Sequence, residues 1–212
     1  MWLRVATRPD LSFAVNLLSR FANNPGRKHW EAFRHTPAYL KETLHYGITF
    51  SRHADIRPFG YVDTDYAGDI DGSQLTEGHI FFMAGGPVLW ASKHQDTVAL
   101  STVEAEYMVF MCAIQQALWL SKFMDEVALS QERPMTIYAD NNGAIANTQN
   151  NKNHKQTKHI RIRHHFTKER VESGNISFTY IPSANNLADI ITKSIPKEAV
   201  LQCCKSMGLL PK

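Results

Sequence analysis

The sequence predicts an α/β domain in which helices pack on a sheet of about five strands. Three strand-like segments precede a long helical segment, and two further strands then alternate with helices, which is the order of a mixed α/β layer structure. The composition is 43% hydrophobic and 20% charged, as in an ordinary globular domain. The apolar runs are too short to cross a bilayer, so we expect no membrane partner.

The elements follow from hydrophobic periodicity and from the glycines and prolines between them. The strand-like segments cover 59–68, 78–86, 87–93, 135–140 and 176–182. Helical patterns cover 8–24, 28–47, 102–127, 141–149, 164–173, 185–195 and 198–210. Pro37 lies inside the second helical pattern, where it removes a backbone hydrogen bond, so we expect a kink or a break there at a cost of roughly 3 kcal/mol.

The cysteines and the absence of an apolar leader predict an intracellular protein, cytoplasmic or nuclear. Cys112, Cys203 and Cys204 are odd in number and form no C-x-x-C pair, which argues against a disulfide framework and against a cysteine zinc site. The first ten residues lack the apolar region of a secretory signal.

Two acids stand close together in "ALSTVEAEYMVF", residues 99–110, at the start of the longest helical pattern. Ser101 and Glu104 have the spacing of a capping box, which gives Glu104 a structural role. Glu106 has no such role, and helical periodicity places it beside Val103 and Phe110, facing the sheet. A buried carboxylate needs a compensating partner, and a metal ion is one; the alternative is that Glu106 lies at the solvent edge of the helix.

Three further acids occupy positions where reactive groups are commonly found. Asp63 lies in the first strand of the sheet, Asp140 at the end of a later strand, and Asp189 early in a helix. Each alone has an ordinary structural explanation, such as capping of the next helix by Asp140. Together with Glu106 they offer the oxygen ligands that two Mg²⁺ ions require.

Five motifs, in this order, resemble the ribonuclease H domain of copia-type LTR retrotransposon polyproteins. They are "YVDTDYAGD", "ALSTVEAEYMVF", "IYADNNGAI", "HKQTKHIRIRHHF" and "NNLADIITK". The opening "TRPDLSFAVNLLSRFANNP" and the following "HWEAF" and "YLKETLHYG" resemble the end of the reverse transcriptase that precedes that domain. No Tyr-x-Asp-Asp motif is present, so we expect no reverse transcriptase activity from this chain.

The resemblance implies a ribonuclease H-like fold and a division of the chain into three parts. Residues 1–56 are expected to be a helical polymerase remnant, 57–196 the ribonuclease H-like domain, and 197–212 a carboxy-terminal helix. Because the remnant's packing partner is absent, we expect Leu17 and Phe21 to lack a complete core. The rest of a Pol polyprotein is a predicted partner.

The resemblance also assigns the site. Asp63, Glu106, Asp140 and Asp189 correspond to the family's metal-binding carboxylates, with Asp63 bridging two Mg²⁺ ions, for which Mn²⁺ is a substitute. The implied activity is hydrolysis of the RNA strand of an RNA–DNA hybrid. Asp65 is a rival to Asp63, since residues i and i+2 share a strand face; the motif favours Asp63.

A basic segment predicts nucleic-acid contact. Residues 151–170 contain seven Lys or Arg, four His and one acid. Lys155, Lys158, Arg161 and Arg163 are the candidate phosphate ligands. The alternatives are a solvated surface and, with less support from the ligand spacing, a zinc site.

Two other functions stay open at this point. One is a catalytically silent transposon remnant that only binds nucleic acid. The other is an integrase-like transposase, which is disfavoured because its glutamate would be the last acid in order rather than the second.

Overall fold

A computed structural model of the chain describes residues 1–65, 75–94, 102–129, 131–149 and 158–212, without the side chains of 102–107, 149 and 158–164. Within these ranges the predicted fold class is confirmed: a mixed five-stranded sheet is flanked by helices, and a helical segment precedes it. None of the helices in these ranges combines the length and apolar character that a bilayer crossing requires.

The amino-terminal segment forms three helices and a short strand. They are α1 (Trp2–Ala6), α2 (Ser12–Ser19), α3 (Arg27–Glu42) and β1 (Tyr46–Ile48), with a 3₁₀ turn at Pro9–Leu11. The predicted break at Pro37 does not occur, because α3 runs through it. Pro37 lines an apolar groove of about 500 Å³ together with Leu18 and Trp30. Pro37 itself is exposed on the surface of α3.

The central sheet contains five strands in the order β4-β3-β2-β5-β6. They are β2 (Phe59–Asp65), β3 (Thr76–Met83), β4 (Gly86–His94), β5 (Met135–Ala139) and β6 (Ile176–Tyr180). Strands β2, β3 and β4 pair antiparallel, whereas β5 pairs parallel with both β2 and β6. The tight β3–β4 turn has positive φ at Ala84 and Gly85.

Helices cover both faces of the sheet. On one face, α4 (Thr102–Glu126), α5 (Asn142–Gln149) and α6 (Lys158–Glu172) enclose a core that includes Val62, Phe81 and Phe110. On the other face, α7 (Asp189–Thr192) and α8 (Lys197–Ser206) cover a second core that includes Ile80 and Phe82. Alternation along β2 therefore directs Val62 to the α4 side and Asp63 to the α7 side.

The amino-terminal segment is held against the sheet by polar hydrogen bonds. The expectation that its apolar residues lack a complete core holds only for the residues on its outer face. Asn16 donates to Ser92 of β4 over 3.0 Å, and the Trp90 indole donates to the Arg4 carbonyl over 2.7 Å. Leu11 is buried, whereas Phe21 is 38% exposed and Trp30 61% exposed. The periodicity of the apolar residues gave no sign of these polar contacts.

The last residues form more than the single helix predicted for 197–212. Helix α8 ends at Ser206, and β7 (Leu209–Pro211) pairs antiparallel with β1. Gly208, at φ +68°, allows the turn between α8 and β7. The carboxy-terminal residues are thus joined to the end of the amino-terminal segment in one small sheet, whereas the boundaries 1–56, 57–196 and 197–212 stay a prediction.

Candidate metal centre

Three of the four predicted acids converge at one edge of the sheet. Carboxylate oxygens of Asp63, Asp140 and Asp189 all lie within 4.8 Å of one another. Asp63 is buried, and the other two are partly buried. In the sequence Asp140 lies 77 positions after Asp63, and Asp189 lies 49 positions after Asp140, so only the fold brings them together.

The register of two parallel strands explains why Asp63 and Asp140 meet. Tyr61 of β2 pairs with Tyr138 of β5, and each acid follows its tyrosine by two residues. Both acids therefore lie at the carboxyl ends of neighbouring parallel strands, the edge where sites commonly form in α/β sheets.

Asp189 reaches the same point because α7 lies close against the sheet. Gly78 of β3 pairs with Asp63, and a Cβ at Gly78 would lie within about 3.1 Å of the Ile191 side chain and nearer still to Thr192. The buried Asn186 donates to the Val62 carbonyl over 3.0 Å and accepts from the backbone of Ala188. These contacts hold the start of α7 next to Asp63.

The alternative role for Asp140, capping the following helix, is taken by its neighbour. The Asn141 side-chain oxygen accepts the Ala144 backbone N–H over 2.9 Å and so caps α5. Asp140 instead accepts a hydrogen bond from the Ser183 hydroxyl. Asp140 is therefore free of the capping role and faces the other two acids.

Burial and mutual repulsion act against ionisation of these acids. Burial raises the pKa of Asp63, and the charges of Asp140 and Asp65 raise it further, against the opposing effect of Lys193 and Thr192. Burial, together with the neighbouring charge of Asp63, raises the pKa of Asp189 to about 6. The cluster is therefore short of positive charge.

Two residues that follow Asp189 by three and four positions contact the cluster. The Thr192 hydroxyl donates to Asp63 and is itself fully buried. The Lys193 ammonium lies 2.9 Å from Asp189 Oδ1 and 3.6 Å from Asp63 Oδ2. Burial lowers the pKa of Lys193, but the three carboxylates outweigh that effect and raise it.

The donor set suits a divalent cation with hard oxygen ligands, such as Mg²⁺ or Mn²⁺. Asp189 Oδ1 is buried and accepts no well-directed hydrogen bond, even though Lys193 lies close to it. One ammonium does not neutralise three carboxylates, and the excess negative charge favours a cation of higher charge.

The side chains of several predicted site residues lie outside the described part of the chain. Glu106 and Glu104 fall in the first turn of α4, where the backbone alone is described, and Ser101 precedes it. Lys158, Arg161 and Arg163 fall in the first turns of α6 under the same limit, and Lys155 lies in the preceding undescribed segment. Asp65 ends β2, but it is not among the three acids that converge.

Sequence reasoning missed Asn186, Thr192 and Lys193. Asp189 and Lys193 have the i, i+4 spacing of a helical ion pair, which was a signal in the sequence. The role of Asn186 had no such signal, because its partner is a backbone carbonyl 124 positions away.

The order of the sheet and the carboxylate cluster agree with the ribonuclease H-like α/β fold that the sequence motifs predict. Sequence relatives specify the family. The chain is 37% identical over 209 residues to the retrovirus-related Pol polyprotein from transposon TNT 1-94 of Nicotiana tabacum, covering 99% of this chain and 16% of that protein. It is 33% identical to the corresponding polyprotein from transposon RE2 of Arabidopsis thaliana, covering 96% of this chain and 14% of that protein. The chain belongs to the family of retrovirus-related Pol polyproteins of transposons.

Other matches are partial or distant. Secreted RxLR effector protein 161 of Plasmopara viticola is 46% identical over 116 residues, which cover 55% of this chain and 82% of that protein. Among solved structures, ribonuclease H1 from Halobacterium salinarum NRC-1 aligns with a TM-score of 0.48 and 17% identity over 69% of this chain and 98% of its own. No family model matches the chain. The chain spans 14–16% of the length of the two polyproteins.

Proposed function

We propose that this chain is the ribonuclease H part of a copia-type polyprotein and that it hydrolyses the RNA strand of RNA–DNA hybrids with Mg²⁺. The observation that carries the proposal is the convergence of Asp63, Asp140 and Asp189 in a chain whose sequence belongs to the Pol polyprotein family. Glu106 is proposed as the fourth ligand.

The chain's own residues supply binding and orientation. Bound Mg²⁺ would polarise the scissile phosphate and lower the pKa of the attacking water. Asp63 and Asp189 would hold the ion, and the Thr192 hydroxyl fixes one oxygen of Asp63. Ser183 orients Asp140 in the same way. Discrimination of RNA from DNA would rest on contacts to the 2′-hydroxyl.

The test is cleavage of a labelled RNA–DNA hybrid in Mg²⁺, with duplex DNA as the comparison substrate. Asp63→Asn, Asp140→Asn and Asp189→Asn should each abolish cleavage while the hybrid still binds. Asp55→Asn is the matched control, because Asp55 is an acid exposed on a loop and paired with Arg57.

Three further variants separate the candidates within each motif. Asp65→Asn should retain cleavage, and Glu106→Gln should lose it. Glu104→Gln should cost only stability, on the order of 1 kcal/mol, through the lost cap. The family assignment of the acids is wrong if Glu104→Gln abolishes cleavage and Glu106→Gln does not. Binding of the hybrid without any cleavage by the unaltered chain would instead identify a silent remnant.

The basic segment is proposed to contact the phosphate backbone through Lys155, Lys158, Arg161 and Arg163. Each neutralised phosphate changes the slope of log K against log salt by about −0.9 on a duplex. Replacing Lys158 and Arg163 together with Ala should therefore flatten the slope by nearly two units, with similar loss on different sequences. A solvated surface predicts no change in slope between roughly 50 and 200 mM salt, the range in which such contacts weaken most.

The remaining proposals concern the partners and the cellular location of the chain. The hybrid is the proposed partner, together with the rest of the polyprotein. An intracellular location remains a prediction from the cysteine pattern.

A further inference from the structure

Lys193 contacts two of the three converging carboxylates. Its ammonium lies 2.9 Å from Asp189 Oδ1 and 3.6 Å from Asp63 Oδ2. No other Lys or Arg within the described part of the chain forms an ion pair with the three acids. In this arrangement the lysine provides the positive charge that holds two mutually repelling carboxylates together.

The same two oxygens belong to the proposed metal ligands. An ammonium and a divalent cation repel each other when they share a carboxylate pair, since two positive charges about 4 Å apart interact by several kcal/mol at the effective dielectric of a protein surface. A cation that binds Asp63 and Asp189 closely must therefore displace the ammonium.

The surroundings of Lys193 leave space for its side chain to move away from the two carboxylates. Lys193 follows the last turn of α7 in extended backbone, at φ −140° and ψ 163°, and its side chain is 30% exposed. It also lines an open groove of about 280 Å³ between α7 and the amino-terminal helices, beside Asp10, Leu17 and Tyr39. Thr192, by contrast, is fully buried and keeps its hydrogen bond to Asp63.

We propose that Lys193 is a built-in counter-ion of the metal-free site, which competes with the divalent cation and is displaced when the cation binds. The proposal rests on the proposed function in one respect, namely that Asp63 and Asp189 are metal ligands. Its consequence is that the affinity for the divalent cation is lower than the three carboxylates alone would give, and that the acids stay together without metal. Lys193 acts as a positioning residue for these two acids.

The test is calorimetric titration of Mn²⁺ into the full chain without nucleic acid, using the unaltered chain and variants at Lys193. Lys193→Met removes the competing charge and should tighten Mn²⁺ binding on the order of tenfold. Lys193→Gln should do the same, which covers the case in which the Met variant fails to fold. Lys193→Arg keeps the charge and should bind as the unaltered chain does.

Lys197→Met is the matched control, because Lys197 is exposed at the start of α8 and its loss changes the net charge equally. It should leave the affinity unchanged. A second measurement is thermal unfolding in chelator, where Lys193→Met should melt lower than the unaltered chain, and Mn²⁺ should raise its melting temperature by more.

The results separate the two proposals. Unchanged or weaker Mn²⁺ binding by both Lys193→Met and Lys193→Gln overturns the counter-ion role while leaving the metal site intact. Binding by these variants alone, and not by the unaltered chain, supports the counter-ion role in its strongest form. Absence of binding in all of them overturns both the counter-ion role and the proposed metal site.

Discussion

Two buried acids in this molecule have opposite electrostatic surroundings. Asp10, before α2, has a fully buried side chain and receives three hydrogen bonds from the Arg8 guanidinium, at 3.0, 3.3 and 2.7 Å. The Tyr39 hydroxyl donates a further bond of 2.7 Å. Asp63 is almost as deeply buried, yet it shares one lysine with two other carboxylates.

The two clusters differ in how completely their charges are balanced. In the Asp10 cluster one anion meets one cation, and the spare donors of Arg8 bond the Thr43 hydroxyl and carbonyl. Burial lowers the pKa of Arg8, but Asp10 outweighs this and raises it. In the Asp63 cluster three acids face one ammonium. We call the Asp10 cluster closed, because its charges are balanced, and this arrangement serves stability. We call the Asp63 cluster open, because negative charge is in excess there, and this arrangement is suited to a bound cation.

The first prediction breaks the closed cluster and has the largest effect. Asp10→Asn leaves the buried Arg8 guanidinium without its counter-charge, and breaking a buried pair in this way costs about 3–5 kcal/mol. The free energy of unfolding, measured in urea, should fall by that amount. Arg27→Ala, which removes the exposed Arg27–Glu31 pair, should change it by less than about 1 kcal/mol. Equal effects of the two changes would contradict the closed character of the Asp10 cluster.

The second prediction applies the same Asp→Asn change to the open cluster. There we expect the change to raise the free energy of unfolding rather than to lower it. Asp189→Asn removes a carboxylate that its surroundings disfavour in the ionised form. In chelator at pH 8 the variant should be more stable than the unaltered chain. We expect a gain of about 1 kcal/mol, less than the full pKa shift implies, because solvent screens a partly exposed group.

The pH dependence follows from the same carboxyl group. Because its pKa is about 6 in the folded chain against an ordinary 3.8, the folded state binds more protons between these values. The protonated Asp189 carboxyl group therefore favours the folded state at low pH. This stabilisation is lost as the pH rises from about 4 to about 6. The stability difference between Asp189→Asn and the unaltered chain should grow over that window. A constant difference would mean that the Asp189 carboxylate is not disfavoured.

Sequence reasoning predicted the sheet, the long helix and the placement of three acids, since these depend on periodicity and on recognisable motifs. It could not predict β1 and β7, because strands of three residues carry no periodic signal and the two strands are far apart in the sequence. It overestimated the effect of Pro37, which is exposed and lies within the continuous helix α3. It treated the amino-terminal residues as apolar surfaces and so missed Arg8, Asp10 and Asn16 as anchors.

The measurement that tests the central claim most directly is the stabilisation produced by Mg²⁺. The free energy of unfolding in urea is compared between Mg²⁺ and chelator for the unaltered chain, for Asp189→Asn and for Tyr39→Phe, which removes one bond to Asp10. At ten times the dissociation constant, binding to the folded state alone adds roughly 1.4 kcal/mol. We predict this increment in the unaltered chain and in Tyr39→Phe, which should start from a lower stability, and its loss in Asp189→Asn. An increment that survives in Asp189→Asn, or that disappears in Tyr39→Phe, would contradict the assignment of the metal to the open cluster.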